Sequence, residues 1–381
     1  MKRAFVNRRN LMVAAGAVLL SGCSIIPKTA ETPGAGRPTP EPSATTLPDD
    51  EQRHRIALLV PLSGSNGEVG QSIANATTMA ILDTNADNLR ITTYDTSGGA
   101  RAAAREALAD GNRLILGPLL GSNVASVRAE TEGTAVPIIS FSNDTSIAGP
   151  GVFVMGHIPE QSIARSVEYA RSRGARDFAI LAPDGDYGNR AEAALRNALT
   201  EYGGRYVTGE RYARTNTSVV SAAGRLKQRG GFDSILIADG GSNSIRGASA
   251  VKTDGLQIIG TERWSGDSDV LRSSALRGAI FSAVIDSRYG GFVTSYEERF
   301  GAQPYRVATL GYDAVLLTLR AARDWRVGRE FPVNVLYQAG GFDGMDGPFR
   351  FQRNGVVERA MEVREVANGD VTIASPAPTG F

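Results

Sequence analysis

The 381-residue chain has a single cysteine, Cys23, so an internal disulfide is excluded. Its only histidines are His54 and His157, and no Cys/His spacing of a zinc site occurs. Basic and acidic residues almost cancel, 41 against 40, which leaves a net charge of +1 and no one-signed field of the kind a nucleic-acid partner needs. Long apolar runs are missing too. The run from Leu11 to Leu20 falls well short of the roughly 20 residues a membrane-spanning helix requires. There is no G-x-S-x-G elbow and no histidine close in sequence to a plausible nucleophile, so the chain reads as a protein that is not an enzyme. Acid pairs such as Asp184/Asp186 and Asp267/Asp269 read as turn residues. What is present is a folding composition, 42% hydrophobic and 21% charged, on a length that accommodates two domains.

The first residues read as a targeting segment. Lys2, Arg3, Arg8 and Arg9 precede the short apolar run, and Leu20-Ser21-Gly22-Cys23 follows it. That tetrad resembles a bacterial lipobox, whose cysteine is lipidated and becomes the mature N-terminus. The alternative is an ordinary signal peptide with an incidental cysteine, but the one cysteine of the chain stands at the required place. Several acyl chains on Cys23 would hold the protein to a membrane far more firmly than one reversible chain. Ser24 in place of Asp favours, by the same resemblance, the outer membrane, with inner-membrane anchoring as the alternative. Asn7-Arg8-Arg9-Asn10-Leu11-Met12 also resembles a twin-arginine signal, so the export route stays open. Pro27 to Asp50 is rich in Pro, Thr, Ser, Gly and Ala without an apolar period, the composition of an extended tether. The segments are therefore residues 1–23 as signal and 24–52 as tether.

From Arg53 onward strands and helices alternate. Arg55–Val60 is a short apolar run suited to a strand buried on both faces of a parallel sheet. Arg90–Asp95, Leu114–Leu116, Val136–Ser140, Val152–Met155, Phe178–Leu181, Phe232–Ala238, Leu256–Ile259 and Ala279–Ile285 read as further strands. Helical spacing occupies Glu160–Arg173, Arg190–Tyr202, Phe292–Phe300 and Val307–Trp325. Gly347–Phe351 and Arg359–Val366 read as a hairpin around Asn354-Gly355. Repeated βα units imply an α/β fold with parallel sheets. In such sheets ligands bind at the carboxyl ends of the strands, and here those ends carry Ser, Gly, Asn and Asp. Gly64–Gly70 has the spacing G-x-x-G-x-x-G, not the dinucleotide fingerprint G-x-G-x-x-G, so no nucleotide cofactor is expected, nor any other. Ser63 and Gly64 offer a hydroxyl and backbone N–H groups at a helix start, which suits a carboxylate; an ordinary tight turn is the alternative.

The order of Ile56–Gly64, Ile91–Asp95, Leu114–Leu120, Val136–Asn143, Phe178–Gly188, Gly260–Glu262, Gly311–Val315 and Gly347–Phe351 resembles the type I periplasmic binding proteins, in the leucine/isoleucine/valine-binding branch. The resemblance implies two Rossmann-like lobes, three interlobe crossings and a cleft that closes by a hinge. The first lobe would comprise residues 53–156 and 288–337, the second 157–287 and 338–373, with 374–381 as a tail. It also implies site residues. Ser122, Ser142 and Asn143 fall in the two loops that hold a ligand's carboxylate and amino group, with helix capping as the competing role. Tyr187 falls where a tyrosine stacks over the ligand, and Glu262 where a glutamate pairs with its ammonium. A solvated acid, or one paired with Arg263, is the competing role for Glu262. Asp239-Gly240-Gly241-Ser242 lacks the aromatic that amino-acid binders often carry after this strand.

Within that superfamily the lipobox, the tether, Leu116–Leu119, Ile139–Asp144 and Ala148–Gly156 resemble the penicillin-binding protein activator lipoproteins. The implied partner is a peptidoglycan synthase, contacted from the outer membrane across the periplasm. The alternative is the substrate-binding lipoprotein of an amino-acid ABC importer, with a permease as partner and an amino-acid-like ligand. In both cases the membrane is met through the lipid anchor only.

Overall fold

Ile56, Leu58 and Val60 turn to one side of a parallel sheet while Ala57 and Leu59 turn to the other, and all five are sealed from solvent. Alternation of side chains along a strand thus explains why this stretch is apolar throughout. In the computed structural model, residues 52–215 and 217–381 are described, and the chain from Asp49 onward is one compact unit. Cys23, the lipobox and nearly all of the tether lie outside the described residues.

The chain opens with β1 (His54–Val60), α1 (Gly67–Thr84), β2 (Leu89–Asp95), α2 (Ala100–Ala109), β3 (Leu114–Leu116), α3 (Gly121–Thr131), β4 (Ile138–Ser140) and β5 (Val152–Val154). These strands form a parallel sheet in the order β2-β1-β3-β4-β5. Gly156 then leads into α4 (Pro159–Ser172), β6 (Asp177–Pro183), α5 (Asp186–Tyr202), β7 (Arg205–Tyr212), α6 (Ser218–Arg229), β8 (Ser234–Ile237), α7 (Gly241–Val251), β9 (Gln257–Ile259), α8 (Ser268–Arg272) and β10 (Ile280–Val284). After a second crossing at Ile285–Arg288 come α9 (Tyr289–Phe300), α10 (Thr309–Ala322), β11 (Phe342–Gly344), β12 (Gly347–Phe351) and β13 (Val357–Arg359). A third crossing at Ala360 leads to β14 (Met361–Val366) and β15 (Val371–Ser375). The second sheet has the order β15-β14-β10-β9-β8-β6-β7, parallel except at β14 and β15.

Three sequence readings change. The stretch expected wholly in the second lobe, 338–373, is split. Phe342, Phe349, Phe351 and Val357 share a core with Ile56, Ile73 and Val315 of the first lobe, whereas Val363 and Val366 pack in the second. Accordingly β12 pairs with β13, and β14 pairs with β10 instead of closing the expected hairpin. Finally, β7 and α6 fill a stretch with no strand signal. As an edge strand, β7 is half exposed over Tyr206–Arg211, so its sequence shows no apolar alternation.

The α1 and α10 helices pack on the same face of the first sheet. At Gly311 of α10 a Cβ would come within 2.5 Å of the Ile73 carbonyl oxygen, so glycine permits the close approach.

Candidate ligand cleft

The loops after β3 and β4 meet the second lobe across a cleft with two adjoining chambers. One, of about 700 Å³, is lined by Gly121, Ser142 and Asn143 on one side and Glu262 and Arg263 on the other, with His157 and Arg306 also on its wall. The second, of about 600 Å³, shares Gly121, Ser142 and Asn143 and adds Ser122, Tyr187 and Arg190. Five of the expected positions, Ser122, Ser142, Asn143, Tyr187 and Glu262, therefore lie around one cleft.

Ser63 and Gly64 do not line it. They are exposed in a turn that folds back on the end of β2. The Ser63 amide donates to Ser97 Oγ (3.1 Å), and Ser97 Oγ donates to the Ser63 carbonyl (3.1 Å). Asp95 accepts from the Leu62 and Ser97 amides at 2.9 and 2.8 Å, and these bonds hold its carboxyl below the usual range. The Ser63 amide, one of the groups read as a carboxylate cradle, is thus engaged within the turn.

Ser142 is buried and its Oγ accepts from the Asp144 amide at 3.0 Å. Ser122 is the second residue of α3, beyond the N-cap position, so it is not a capping residue. The Gly121 and Ser122 N–H groups at the start of that helix lack an intrahelical partner, and both residues line the cleft.

On the second lobe, Tyr187 Oη lies 3.0 Å from Thr261 Oγ1 and 3.1 Å from Glu262 Oε1. Glu262 Oε2 is sealed from solvent with no hydrogen-bond partner among the described residues. Burial raises the Glu262 pKa to about 7, against the pull of the Tyr187 hydrogen bond and the Arg263 charge. Burial, followed by the charge of Glu262, pushes the Tyr187 hydroxyl well above its ordinary value. The tyrosine ring carries the Arg263 and Arg214 guanidinium groups at 5.3 and 5.6 Å, a cation–π arrangement. Arg263 turns to Asp239 at 3.9 Å and not to Glu262. Asp239 also accepts from Tyr212 (2.7 Å) and Arg214 (3.1 Å). Burial pushes Asp239 upward, but Arg214 and Tyr212 outweigh it and hold the carboxyl low.

Two residues of the cleft escaped sequence reasoning. Arg190 clamps Glu160 through two bonds of 2.7 Å and donates a further 2.7 Å bond to the Asn143 carbonyl of the first lobe. The signal for it was local: it lies three residues after Tyr187 on α5, on the same helix face. Arg306, just before α10, donates to Asp346 Oδ1 (2.7 Å), Asp286 Oδ1 (3.1 Å) and Ser265 Oγ (3.4 Å). No sequence spacing announces that role, because its partners come from three separate segments.

Behind the cleft the crossings share a buried charge cluster. His157 from the first crossing lies 2.7 Å from Asp346 Oδ2, and Thr309 donates to the same oxygen at 2.9 Å. Arg359, at the third crossing, lies 3.6 Å from Asp313 and 3.9 Å from Asp346. Burial raises Asp346, but Arg306 and His157 outweigh it and hold the carboxyl far below its usual range. Asp313 is pushed up to about 7 by burial and by the neighbouring Asp346 charge. Burial lowers the His157 pKa despite Asp346.

Comparison with known proteins places this architecture. The family described as "Periplasmic binding protein" matches residues 54–370. The chain belongs to the periplasmic binding protein family. As a periplasmic binding protein it is similar in fold to a putative branched-chain amino acid ABC transporter protein from Rhodospirillum rubrum. That likeness has a TM-score of 0.74 and 20% identity over 84% of this chain and 99% of the other. A Rhodopseudomonas palustris BisB5 solute-binding protein in complex with 3,4-dihydroxybenzoic acid matches with a TM-score of 0.67 and 19% identity, over 87% and 97% of the two chains. Among curated relatives, an uncharacterized protein of Rickettsia prowazekii, RP748, is 28% identical over 159 residues, 41% of this chain and 43% of that one. The penicillin-binding protein activator LpoA of Vibrio cholerae is 25% identical over 154 residues, 38% of this chain and 25% of its own length. The match therefore spans less than half of each of these relatives. Family and structural neighbours alike are binding proteins. No helix among the described residues is long and apolar enough to cross a membrane.

Proposed function

We propose that this is a lipid-anchored periplasmic protein that activates a penicillin-binding protein by direct contact. The observation that carries the reading is the Arg190 bridge. The Asn143 carbonyl, in the loop expected to receive a ligand's amino group, is taken by an arginine of the opposite lobe. The Tyr187 ring likewise faces the protein's own Arg214 and Arg263. A transport receptor closes on its cargo; here side chains already join the lobes, so the body serves as a preset surface for a partner. The partial similarity to LpoA proteins supports the choice of partner class. Binding to a synthase would shift that enzyme toward its active state. The test is capture of purified peptidoglycan synthases by the lipoprotein together with their glycan-polymerising rate. Capture with acceleration supports the reading, and rates unchanged at saturating protein overturn it.

A second reading, the receptor of an amino-acid ABC importer, is favoured by Glu262 alone. A buried carboxylate oxygen without a partner suits a ligand ammonium. Calorimetry against the amino acids and muropeptides separates the two. Binding tighter than ~10 μM, about 7 kcal/mol, that is lost in Glu262→Ala selects the receptor.

A further inference from the structure

The cleft lies at the carboxyl ends of β1, β3 and β4. At their amino ends, the opposite pole of the first lobe, the surface has a different character. Arg53 and Arg55 flank the buried His54 at the start of β1, and Arg113 immediately precedes β3. Together with Trp325 and the exposed Val327 they line a hollow of about 280 Å³, which adjoins a second hollow, of about 440 Å³, lined by Arg113, Arg329 and Glu330. The loop carrying Val327 and Arg329 follows α10, whose first residues lie near the cleft. Its 14 residues separate the two poles by about 20 Å at 1.5 Å per residue.

Three observations set this pole apart. Many exposed arginines elsewhere are matched by acids, as in Arg105–Glu130, Arg225–Glu210 and Arg299–Asp83. Among the described residues none of these four has a carboxylate partner; Arg55 donates only to the Asp110 carbonyl (3.1 Å), and Glu330 is the one acid on the lining. Secondly, the platform is held in place. The His54 ring stacks on Trp325 with centroids 4.1 Å apart, and Trp325 Nε1 donates to the Arg329 carbonyl at 2.9 Å. Thirdly, the chain that leads back through the Pro-rich stretch to Cys23 joins the body here, at Gln52 and Arg53.

We propose that this pole is a membrane-docking face, on which Arg53, Arg55, Arg113 and Arg329 rest on the anionic phospholipid headgroups of the membrane that holds the lipidated Cys23. Arginines within a Debye length of an anionic surface each add roughly fivefold to binding. At physiological salt the attraction is too weak to hold the body by itself and matters because the tether keeps the body near; at low salt, where screening is weak, it suffices alone. Docked, the body stands with its cleft and second lobe directed away from the lipid. The inference goes beyond the activator reading and rests only on its lipid anchor at Cys23.

The test uses the full lipoprotein reconstituted into vesicles, with a protease site placed in the tether between Pro27 and Asp50. After cleavage, the released body is expected to stay with phosphatidylglycerol-containing vesicles at low salt, to leave them at high salt, and to leave phosphatidylcholine vesicles at once. The variant Arg53→Gln/Arg113→Gln/Arg329→Gln, which alters exposed side chains only, is expected to bind the anionic vesicles roughly 100-fold more weakly. Circular dichroism confirms its fold, and the salt series on the parent needs no variant. Equal release from both lipids overturns the proposal, as does a variant retained like the parent. Retention on purified peptidoglycan but not on vesicles overturns it as well and assigns the face to the wall.

Discussion

Replacing Glu262 by glutamine should favour the folded state relative to the parent increasingly as pH rises toward 7. In the folded state the Glu262 carboxyl titrates near 7, against 4.5 for a free side chain. At 1.36 kcal/mol per tenfold change in proton affinity, the gap amounts to about 3 kcal/mol. Below about pH 4.5 the group is protonated folded and unfolded, and the stabilising difference is fully present. As pH rises toward 7 the unfolded chain ionises freely while the folded site resists, and that stability is lost. Glutamine keeps an oxygen for Tyr187 and cannot ionise. It places an amide where Oε2 now lacks a partner, a cost of roughly 1–3 kcal/mol that does not vary with pH. The diagnostic is therefore the slope. Urea denaturation of parent and variant from pH 4 to 8 should show the variant gaining about 3 kcal/mol relative to the parent across the range. Parallel curves would refute the burial of an unpartnered carboxyl. A ligand ammonium, if one binds, should remove the parent's deficit and leave the variant untouched.

Other outcomes follow from neighbouring features. Asp346→Asn leaves Arg306 and His157 without their shared carboxylate and should cost about 3–5 kcal/mol, read as a melting point lower by on the order of 10 °C. Because the Asp346 pKa is depressed, its contribution is present above about pH 4 and fades below it, so parent and variant should converge in acid. Arg190→Ala removes the bridge to Asn143; small-angle scattering should show a larger radius of gyration at a stability cost near 1 kcal/mol, and an unchanged radius would contradict the bridge. Gly156→Ala places a Cβ 2.3 Å from the Ser142 carbonyl oxygen and should destabilise by about 1–3 kcal/mol, measured by the denaturation midpoint. Cys23→Ser should move the protein from the membrane to the soluble fraction after osmotic lysis; unchanged fractionation would refute lipidation.

Much of the fold was legible because burial leaves marks on sequence. The run Ile56–Val60 is apolar at every position since both faces of β1 are covered. β7 left no such mark, being an edge strand with one flank in solvent. The stretch 338–373 divides between the lobes against the sequence reading, because the only clue to its first part is the aromatic Phe342, Phe349 and Phe351, whose partners include residues some 200–300 positions earlier. At the cleft, Tyr187 and Glu262 came from family resemblance, not spacing; they are 75 residues apart and meet only through the fold. Ser63 and Gly64 fall outside the cleft lining, since a strand-end turn reads alike whether its amides serve a ligand or, as those of Leu62 and Ser63 do here, Asp95 and Ser97.

The interleaving of the lobes has a consequence for how the protein is made. Strand β5 ends at Val154, but the aromatic residues that cover that sheet's core finish only at Phe351. At 5–20 residues per second, roughly 10–40 s of synthesis separate the two. For that interval α1 alone covers the apolar face of the opening sheet. The part of the protein that leaves the ribosome first is thus among the last to be completed. A nonsense mutation near position 340 would therefore strike hardest at the lobe encoded by the beginning of the gene.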